Sequence, residues 1–257
     1  MLHNYHTHTW RCNHADGTER EYIENAIRMG MKTLGFSDHA GWKYPGDYSN
    51  TSHMRHDQLL EYCETIAALK EEYKGRIDIK IGFETEYYLP YFDEFMEMIA
   101  PLPVDYMILG HHANGGEIGF RSNCLPTDSE ESLALYVCQV LAGLHTGCFS
   151  YLAHPDFFNF SGDDATYRRY MVPFCKEIRR MGIPLEMNLL GLRNGRNYPS
   201  ERFFAIAAEV GNDVILGIDA HQPEAILHGE MEARALAFLR RFGITPVEKL
   251  ELRPPKR

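Results

Sequence analysis

Short apolar runs alternate with longer amphipathic stretches through the whole sequence, and this alternation constrains the fold more than any other feature. The strand-like runs lie at 2–6, 33–37, 77–83, 106–109, 148–153, 184–189 and 214–218. Helix-like stretches lie near 18–30, 55–73, 91–99, 129–146, 165–181, 199–210 and 224–241. Alternating strands and helices predict a parallel sheet with helices outside it. Seven units without interruption favour a closed or nearly closed α/β barrel, with a doubly wound open sheet as the alternative.

The composition excludes several classes of protein. The 36 acidic and 26 basic residues give a net charge of −10, and no basic stripe indicates a nucleic-acid partner. No apolar stretch approaches the roughly 20 residues of a membrane span, and the start MLHNYHTH lacks the apolar core of a signal peptide. Six cysteines without a CxxC pair are expected to be reduced and mostly buried. We therefore expect a cytoplasmic protein with one domain over residues 1–257; the oligomeric state stays open.

Nearly every strand-like run ends in a histidine or an acid. The carboxyl ends of parallel strands share one face of an α/β fold, and functional sites are built there. The strand-end motifs are His6-Thr-His8, Ser37-Asp38-His39, Glu84-Thr-Glu86, His111-His112, His154-Pro-Asp156 and Asp219-Ala-His221. Numerous potential metal ligands are therefore expected to converge on one mouth of the fold.

Strand geometry and ligand chemistry both favour a metal site over a structural role for these side chains. Residues two apart on a strand point to the same side, so His6 with His8, and Asp219 with His221, can reach into one cavity. A lone strand-end histidine is more often structural. Crowding many imidazoles and carboxylates without a cation, however, would cost several kcal/mol in repulsion and desolvation. Neutral imidazole and carboxylate ligands suit Zn, Fe or Mn, and no thiolate belongs to this set.

Ordered strand-end motifs along the chain also carry a family resemblance. They are His6-x-His8, His14, Ser37-Asp38-His39, Gly82-x-Glu84, Gly110-x-His112, Ala153-His154-Pro155, Gly191-Leu192-Arg193 and Asp219-Ala-His221. Together they resemble the polymerase-and-histidinol-phosphatase (PHP) superfamily, particularly its histidinol-phosphatase branch, from residue 4 to about residue 225. The resemblance implies a distorted (β/α)7, TIM-like barrel with a cluster of three divalent metal ions (Zn, Fe or Mn) at the carboxyl ends of the strands.

By position, the resemblance also implies which residues hold each ion. One ion would be held by two histidines and two acids: His6, His8, Glu84 and Asp219. A second ion would share the bridging acid and add two histidines: Glu84, His112 and His154. A third ion would be held by three histidines: His14, His39 and His221.

Two of these ligand assignments have open alternatives. Adjacent residues of a strand point to opposite sides, so either His111 or His112 reaches the site, and the family register favours His112. Asp16 could replace His14, because the loop after the first strand has no periodicity to determine which residue faces inward.

Several neighbouring side chains are expected to surround the ligands. Glu86 shares a face with Glu84 and is either a further ligand or a hydrogen-bonding group at the rim. Asp38 is expected to orient a neighbouring group. The segment 41–56 is interpreted as a lid over the substrate, with a passive surface loop as the alternative, and His53 and His56 as rim residues rather than ligands.

The implied activity is a metal-dependent phosphomonoesterase reaction with L-histidinol phosphate as the substrate. Divalent ions lower the pKa of a bound water to about 7, so that a nucleophile exists near neutral pH. Their positive charge exceeds what Glu84 and Asp219 neutralise, so an anionic phosphate can bind despite the acidic chain. The alternatives are a phosphoesterase for another small sugar or nucleotide phosphate, and a non-catalytic metal-binding PHP domain.

Six residues receive catalytic or substrate-binding assignments. Three metal ligands are expected to serve catalysis directly: Glu84, Asp219 and His221. Arg193, placed in a loop after the sixth strand, suits bidentate phosphate recognition, with Arg196 as a second candidate. Asp156 is a candidate for the acid that protonates the leaving group, although His154-Pro-Asp156 equally fits a turn that starts a helix.

Overall fold

Seven parallel strands form one sheet in which the hydrogen-bonded order follows the order along the chain. The computed structural model describes residues 1–255 apart from positions 47, 49, 117, 119 and 120. The strands are β1 (His3–Asn4), β2 (Thr33–His39), β3 (Asp78–Thr85), β4 (Tyr106–Leu109), β5 (Tyr151–Leu152), β6 (Leu185–Asn188) and β7 (Val214–Gly217). β1, β5 and β6 are shorter than the apolar runs that predicted them.

The sheet closes into a nearly complete barrel just beyond the carboxyl ends of its first and last strands. Thr7 and Ala220 form a parallel bridge there. The His8 amide donates to the Ala220 carbonyl (2.9 Å), and the Ala220 amide donates to the His6 carbonyl (3.3 Å). The seven-stranded, TIM-like barrel is thus confirmed and the open sheet is wrong. Closure at this end also brings the first histidine motif beside the last acidic one.

Helices follow the strands along the chain, and most begin at a polar capping residue. They are α1 (Glu19–Arg28), α2 (Leu59–Glu72), α3 (Leu89–Ile99), α4 (Glu130–His145), α5 (Asp164–Arg180), α6 (Leu189–Asn194), α7 (Glu201–Val210) and α8 (Gly229–Arg240). The side chains of Ser129, Asp163 and Ser200 accept hydrogen bonds from the first turns of α4, α5 and α7. Among the described residues, no helix combines the length and the apolar character needed to cross a membrane.

Two helical predictions need correction. The segment after β6, predicted as a loop, is the short helix α6: the Asn188 side chain accepts from the Gly191 amide (2.9 Å), and Gly195 ends the helix in the left-handed conformation. The single helix predicted at 224–241 is a 3-10 turn at Pro223–Ile226 followed by α8. Local capping decides the first case, and hydrophobic periodicity does not detect it.

The interior of the barrel is filled by a small cluster of side chains beneath the carboxyl mouth. Its buried members are Tyr5, Tyr106, Ile108, Tyr151, Ala153 and Ile215. The Tyr106 hydroxyl donates to the Tyr5 carbonyl (2.7 Å). A Cβ at Gly35 would lie 2.3 Å from the Tyr106 hydroxyl oxygen, so only glycine leaves room for this ring. The barrel is therefore packed below the mouth, which leaves the polar strand ends above as the accessible face.

Candidate metal centre

Four ligand atoms from three strand ends converge at the base of the mouth. The Nε2 atoms of His6 and His8 lie 3.2 and 3.4 Å from Glu84 Oε2, and 3.4 and 3.1 Å from Asp219 Oδ1. A tetrahedral ion with ligands at about 2.0–2.1 Å has ligand-to-ligand edges of about 3.3 Å. All four separations are longer than charge-assisted hydrogen bonds of roughly 2.7–2.9 Å. The spacing therefore fits four ligands around one divalent cation.

The other oxygen of Glu84 faces a second pair of histidines. Glu84 Oε1 lies 2.8 Å from His154 Nε2 and 3.4 Å from His112 Nε2. His111 instead packs between the rings of Tyr88 and Tyr136, and burial lowers its pKa to about 4. Of the two adjacent histidines, His112 is therefore the one whose ring faces Glu84. The two oxygens of the Glu84 carboxylate thus face two different groups of imidazoles. A bridging ligand requires this arrangement.

Three further histidines meet at the outer side of the centre. Ring nitrogens of His14, His39 and His221 lie within 4.8 Å of one another. His14 Nε2 and His221 Nε2 are 3.0 Å apart, and the Nδ1 of His14 contacts the Cys12 carbonyl (2.8 Å). Asp16 contacts His221 through its backbone amide (2.9 Å). Between the two alternatives, His14 is the side chain that reaches the cluster.

Buried nitrogens at the centre lack hydrogen bonds, which provides a test of the metal interpretation. His8 Nε2 and His39 Nδ1 are buried and make no hydrogen bond of acceptable geometry with any described residue. Buried polar atoms in folded proteins nearly always have a partner, and such exceptions need an explanation. Divalent transition-metal ions such as Zn²⁺ bind both imidazole nitrogen and carboxylate oxygen. The donor set therefore fits Zn, Fe or Mn.

Charges interact strongly across the centre. Burial opposes protonation of His6, but the carboxylates of Glu186, Asp219 and Glu84 outweigh burial and raise its pKa to about 10. Burial lowers the pKa of His221 to about 3. Although burial alone would raise the pKa of Asp219, the His6 imidazole helps to hold it well below its usual range. Negative charge is thus concentrated where the ligand atoms meet, which favours a cation.

Outer carboxylates hold the nitrogens of the ligand imidazoles that point away from the centre. Asp38 Oδ1 lies 3.4 Å from His8 Nδ1, in line with the orienting role expected for it. Glu86 Oε1 lies 2.6 Å from His112 Nδ1, so Glu86 contacts a candidate ligand. Such contacts select the ring tautomer and orientation of a metal ligand.

Two residues near the ligands were missed or misplaced by sequence reasoning. His53 is not at the rim: it is buried, its ring stacks on His39 at 4.9 Å, and its Nε2 lies 3.6 Å from Glu86 Oε1. His56 is exposed. Cys12 places its sulfur within 4.8 Å of ring nitrogens of His8 and His221. Neither contact leaves a periodic signal, because His53 lies in a loop and Cys12 in a single 3-10 turn, Trp10–Cys12.

The segment 41–56 contributes to the wall of a cavity above the centre. The cavity has a volume of about 590 Å³, and Tyr48, Asn50 and Ser52 of this segment line it. Trp42 is buried and its Nε1 donates to Glu86 Oε2 (3.3 Å). Positions 47 and 49 lie outside the described residues. The substrate-covering role of this segment remains a prediction.

Both arginines selected from the sequence line the same cavity. Arg193 lies on α6, and its Nη2 donates to the Ala225 carbonyl (3.3 Å). Arg196 follows α6, and its Nη1 donates to the Tyr198 hydroxyl (2.7 Å). The cavity therefore carries two guanidinium groups on the wall formed by α6 and the residues after it.

Asp156 has a position that does not suit a leaving-group acid. It is buried, it is absent from the described residues that line the cavity, and its carboxylate accepts the Ser200 amide (2.5 Å). The Asn197 side chain donates to its carbonyl (3.2 Å). Burial raises the pKa of Asp156 to about 7, against the hydrogen bond from Ser200. These contacts anchor the segment that carries Arg196.

Replacing Asp156 with asparagine is expected to stabilise the protein at pH 8 more than at pH 5. The folded state keeps the proton up to about pH 7, whereas the ordinary pKa is 3.8. Between these two pKa values the folded wild type binds more protons than the unfolded chain. The stability of the wild type therefore falls as pH rises from the lower to the higher value, by about 1.4 kcal/mol per unit of pKa difference. Thermal unfolding at both pH values measures this difference. Loss of a general acid would lower kcat by roughly 10²–10⁴-fold. For Asp156→Asn we expect kcat to fall by less than about tenfold.

Asp163→Asn is a control with the opposite sign. Asp163 caps α5 through the Thr166 amide, and this hydrogen bond lowers its pKa. A carboxylate with a lowered pKa stabilises the folded state at pH values above its ordinary pKa. Asp163→Asn should therefore lose stability at neutral pH. A Tm gain of Asp156→Asn that is the same at both pH values would contradict the pKa interpretation.

The fold and the site together define a TIM-like barrel with a candidate metal centre at its carboxyl mouth. The chain belongs to the PHP domain family, whose family model matches residues 4–189. It is 31% identical over 236 residues to a "probable histidinol-phosphatase" of Deinococcus radiodurans, covering 85% of each chain. A second relative with that description, from Schizosaccharomyces pombe, is 26% identical, covering 97% of this chain and 89% of the relative.

Among solved structures, the chain resembles a histidinol phosphate phosphatase from Lactococcus lactis. The TM-score is 0.72 at 21% identity, and the similarity covers 100% of this chain and 99% of the other. That crystal structure is a complex with zinc, L-histidinol and phosphate. At this identity the similarity establishes the shared fold.

Proposed function

We propose that this protein is a metal-dependent phosphomonoesterase that hydrolyses L-histidinol phosphate to L-histidinol and phosphate. The observation that carries the proposal is one cavity with two chemistries: metal-ligand spacing at its base and two arginines on its wall. The relatives described as histidinol-phosphatases support the same activity. The zinc, L-histidinol and phosphate held by the Lactococcus lactis protein support this choice of substrate and metal.

The proposed cofactor is a cluster of three divalent ions, Zn, Fe or Mn. His6, His8, Glu84 and Asp219 would hold the first ion, Glu84 with His112 and His154 the second, and His14, His39 and His221 the third. The two-sided contacts of Glu84 support its role as the bridge. When bound, such ions lower the pKa of a coordinated water and stabilise the charge that develops on a transferring phosphoryl group.

The residues of the chain would position the substrate against this centre. We assign phosphate binding to Arg193 and Arg196, because a guanidinium can donate two parallel hydrogen bonds to a phosphate. Arg196 is held by the Tyr198 hydroxyl, so its side chain is partly ordered before substrate arrives. Glu84, Asp219 and His221 would act as ligands next to the reacting atoms. The chain has a net charge of −10, so an anionic substrate needs this local positive charge.

The proposed setting is the cytoplasm, with a small phosphorylated metabolite and not a nucleic acid as the substrate. Cys12, Cys63 and Cys175 are buried thiols, which supports a reducing compartment. The absence of a basic stripe in the sequence supports a small substrate. A histidinol-phosphatase activity would place the protein in histidine biosynthesis.

Elemental analysis of the purified protein combined with a phosphatase panel tests this function. We expect three divalent ions per chain and much faster phosphate release from L-histidinol phosphate than from generic phosphomonoesters. Turnover of other sugar or nucleotide phosphates, with none of L-histidinol phosphate, would overturn the substrate assignment. A fully metal-loaded protein that hydrolyses no phosphomonoester would indicate a non-catalytic PHP domain instead.

A further inference from the structure

A buried carboxylate on β6 contacts groups from three different parts of the metal centre. Glu186 is fully buried, and its Oε1 lies 2.7 Å from His6 Nδ1. Its Oε2 accepts both the His154 backbone amide (2.9 Å) and the Asn188 side-chain amide (2.9 Å). The same Asn188 nitrogen lies 3.0 Å from Asp219 Oδ2. One carboxylate is thus connected to two ligands directly and to a third through Asn188.

Two residues in this network have a backbone conformation that residues other than glycine rarely adopt. The φ angles of His154 and Asp219 are +28° and +54°. Such conformations persist only where surrounding contacts impose them, and they cluster at functional sites. The contact of Glu186 with the His154 amide is of this kind, and the contact of Asn188 orients the Asp219 side chain.

We propose that Glu186 is a positioning residue that holds His6, His154 and Asp219 in place for metal binding. This inference rests on the metal centre of the proposed function. Glu186 Oε1 accepts the Nδ1 proton of His6, so Nε2 is the ring nitrogen left to bind an ion beside Glu84 and Asp219. Glu186 Oε2 meanwhile orients the His154 backbone.

Hydrogen-bond chemistry makes the carboxylate essential, because a glutamine fails in either orientation. If its oxygen faces His6, its NH₂ group meets two other donors, the His154 amide and the Asn188 side chain. If its NH₂ group faces His6, then His6 Nδ1 must accept, and the ring proton moves to the Nε2 that should bind the metal. Glu186→Gln therefore removes the positioning function with almost no change in volume.

The neighbouring strand leaves a specific space for this carboxylate. Asn188 on β6 pairs in register with Gly217 on β7. A Cβ at Gly217 would lie 1.8 Å from Glu186 Oε1, so it would collide with the side chain of Glu186 and not with its backbone. Gly217→Ala should therefore displace the carboxylate without changing its chemistry. It is a second, independent way to test the same contact network.

The test compares zinc binding by metal-stripped wild type, Glu186→Gln, Gly217→Ala and the control Asp105→Asn. Asp105 accepts the Ile81 amide (2.8 Å) and pairs with Lys70 (2.9 Å), away from the centre. Competition with a chelating dye measures zinc affinity, the visible spectrum of added Co²⁺ reports ligand geometry, and circular dichroism reports the fold. We expect zinc affinity to fall by roughly 10–100-fold in both centre variants and to be unchanged in the control. Raising the zinc concentration should restore kcat in both.

The outcomes separate this inference from the proposed function. Wild-type zinc affinity and an unchanged Co²⁺ spectrum in a folded Glu186→Gln would overturn the role of Glu186 and leave the proposed function standing. If Glu186→Gln does not fold, the same readouts on Gly217→Ala decide. A wild type that binds no zinc or other divalent ion would overturn the metal centre itself.

Discussion

Replacing Glu84 with glutamine is expected to remove metal from two positions at once and to abolish most of the activity. One carboxylate oxygen lies beside the Nε2 atoms of His6 and His8, and the other beside those of His154 and His112. An amide supplies at most one weak oxygen ligand and no negative charge. We expect kcat/KM to fall by more than the roughly 10–100-fold that loss of an outer partner of a ligand costs. Elemental analysis and steady-state kinetics measure both effects.

Glu86→Gln is the matched control for this variant. Glu86 lies two residues away on the chain and contacts His112 at the nitrogen facing away from Glu84. Its loss should weaken one metal position within the roughly 10–100-fold range. If Glu84→Gln loses metal at a single position, Glu84 is not a bridge. If it keeps its full metal content and activity, the assigned centre is wrong.

Metal removal is expected to reduce the phosphatase activity to background and to lower the melting temperature. Binding to the folded state alone stabilises it by about 2.7 kcal/mol when the free ligand is at 100 times its Kd. In a chain of this size, each kcal/mol shifts Tm by roughly 2–4 °C. The stripped protein should therefore melt several degrees lower, because it loses an interaction that the unfolded chain does not make. Differential scanning calorimetry before and after chelation measures this shift.

Reconstitution provides the control for metal removal. Addition of Zn, Mn or Fe salts to the stripped protein should restore both activity and Tm, and the most effective ion identifies the metal that the site uses best. Mg²⁺ should be ineffective, because it prefers oxygen ligands to imidazole. Full activity after exhaustive chelation would contradict a metal-dependent reaction.

Much of the fold and of the ligand set could be predicted from the sequence because both rest on short-range regularities. Apolar runs separated by amphipathic helices predict a parallel barrel. Parallel strands place their carboxyl ends on one face, so side chains such as His6, Glu84 and His154 were expected to meet. Alternation along a strand also pairs His6 with His8. None of these arguments needs the details of packing.

Other residues could not be assigned because their roles depend on contacts between distant loops. The position of Asp156 against Ser200 follows from how the segment after α6 folds back. His53 reaches His39 because its loop contributes to the wall of the cavity. Glu186 had a usable signal: it lies two residues before Asn188 and shares its face of β6. This signal is weak, because the spacing along β6 does not show which distant residues Glu186 contacts.

The sequence by itself determined the architecture and the chemical kind of site, because strand periodicity and residue type are local properties. Only the tertiary structure shows that the His112 ring lies beside Glu84, and that the His14 ring lies with His39 and His221. The tertiary structure also determines which carboxylates contact the imidazole nitrogens that point away from the centre. These choices depend on distances of about 3 Å between groups far apart in the chain, as in the contact of Glu186 with His6, 180 residues away. Such distances arise only when the barrel closes and brings the strand ends together.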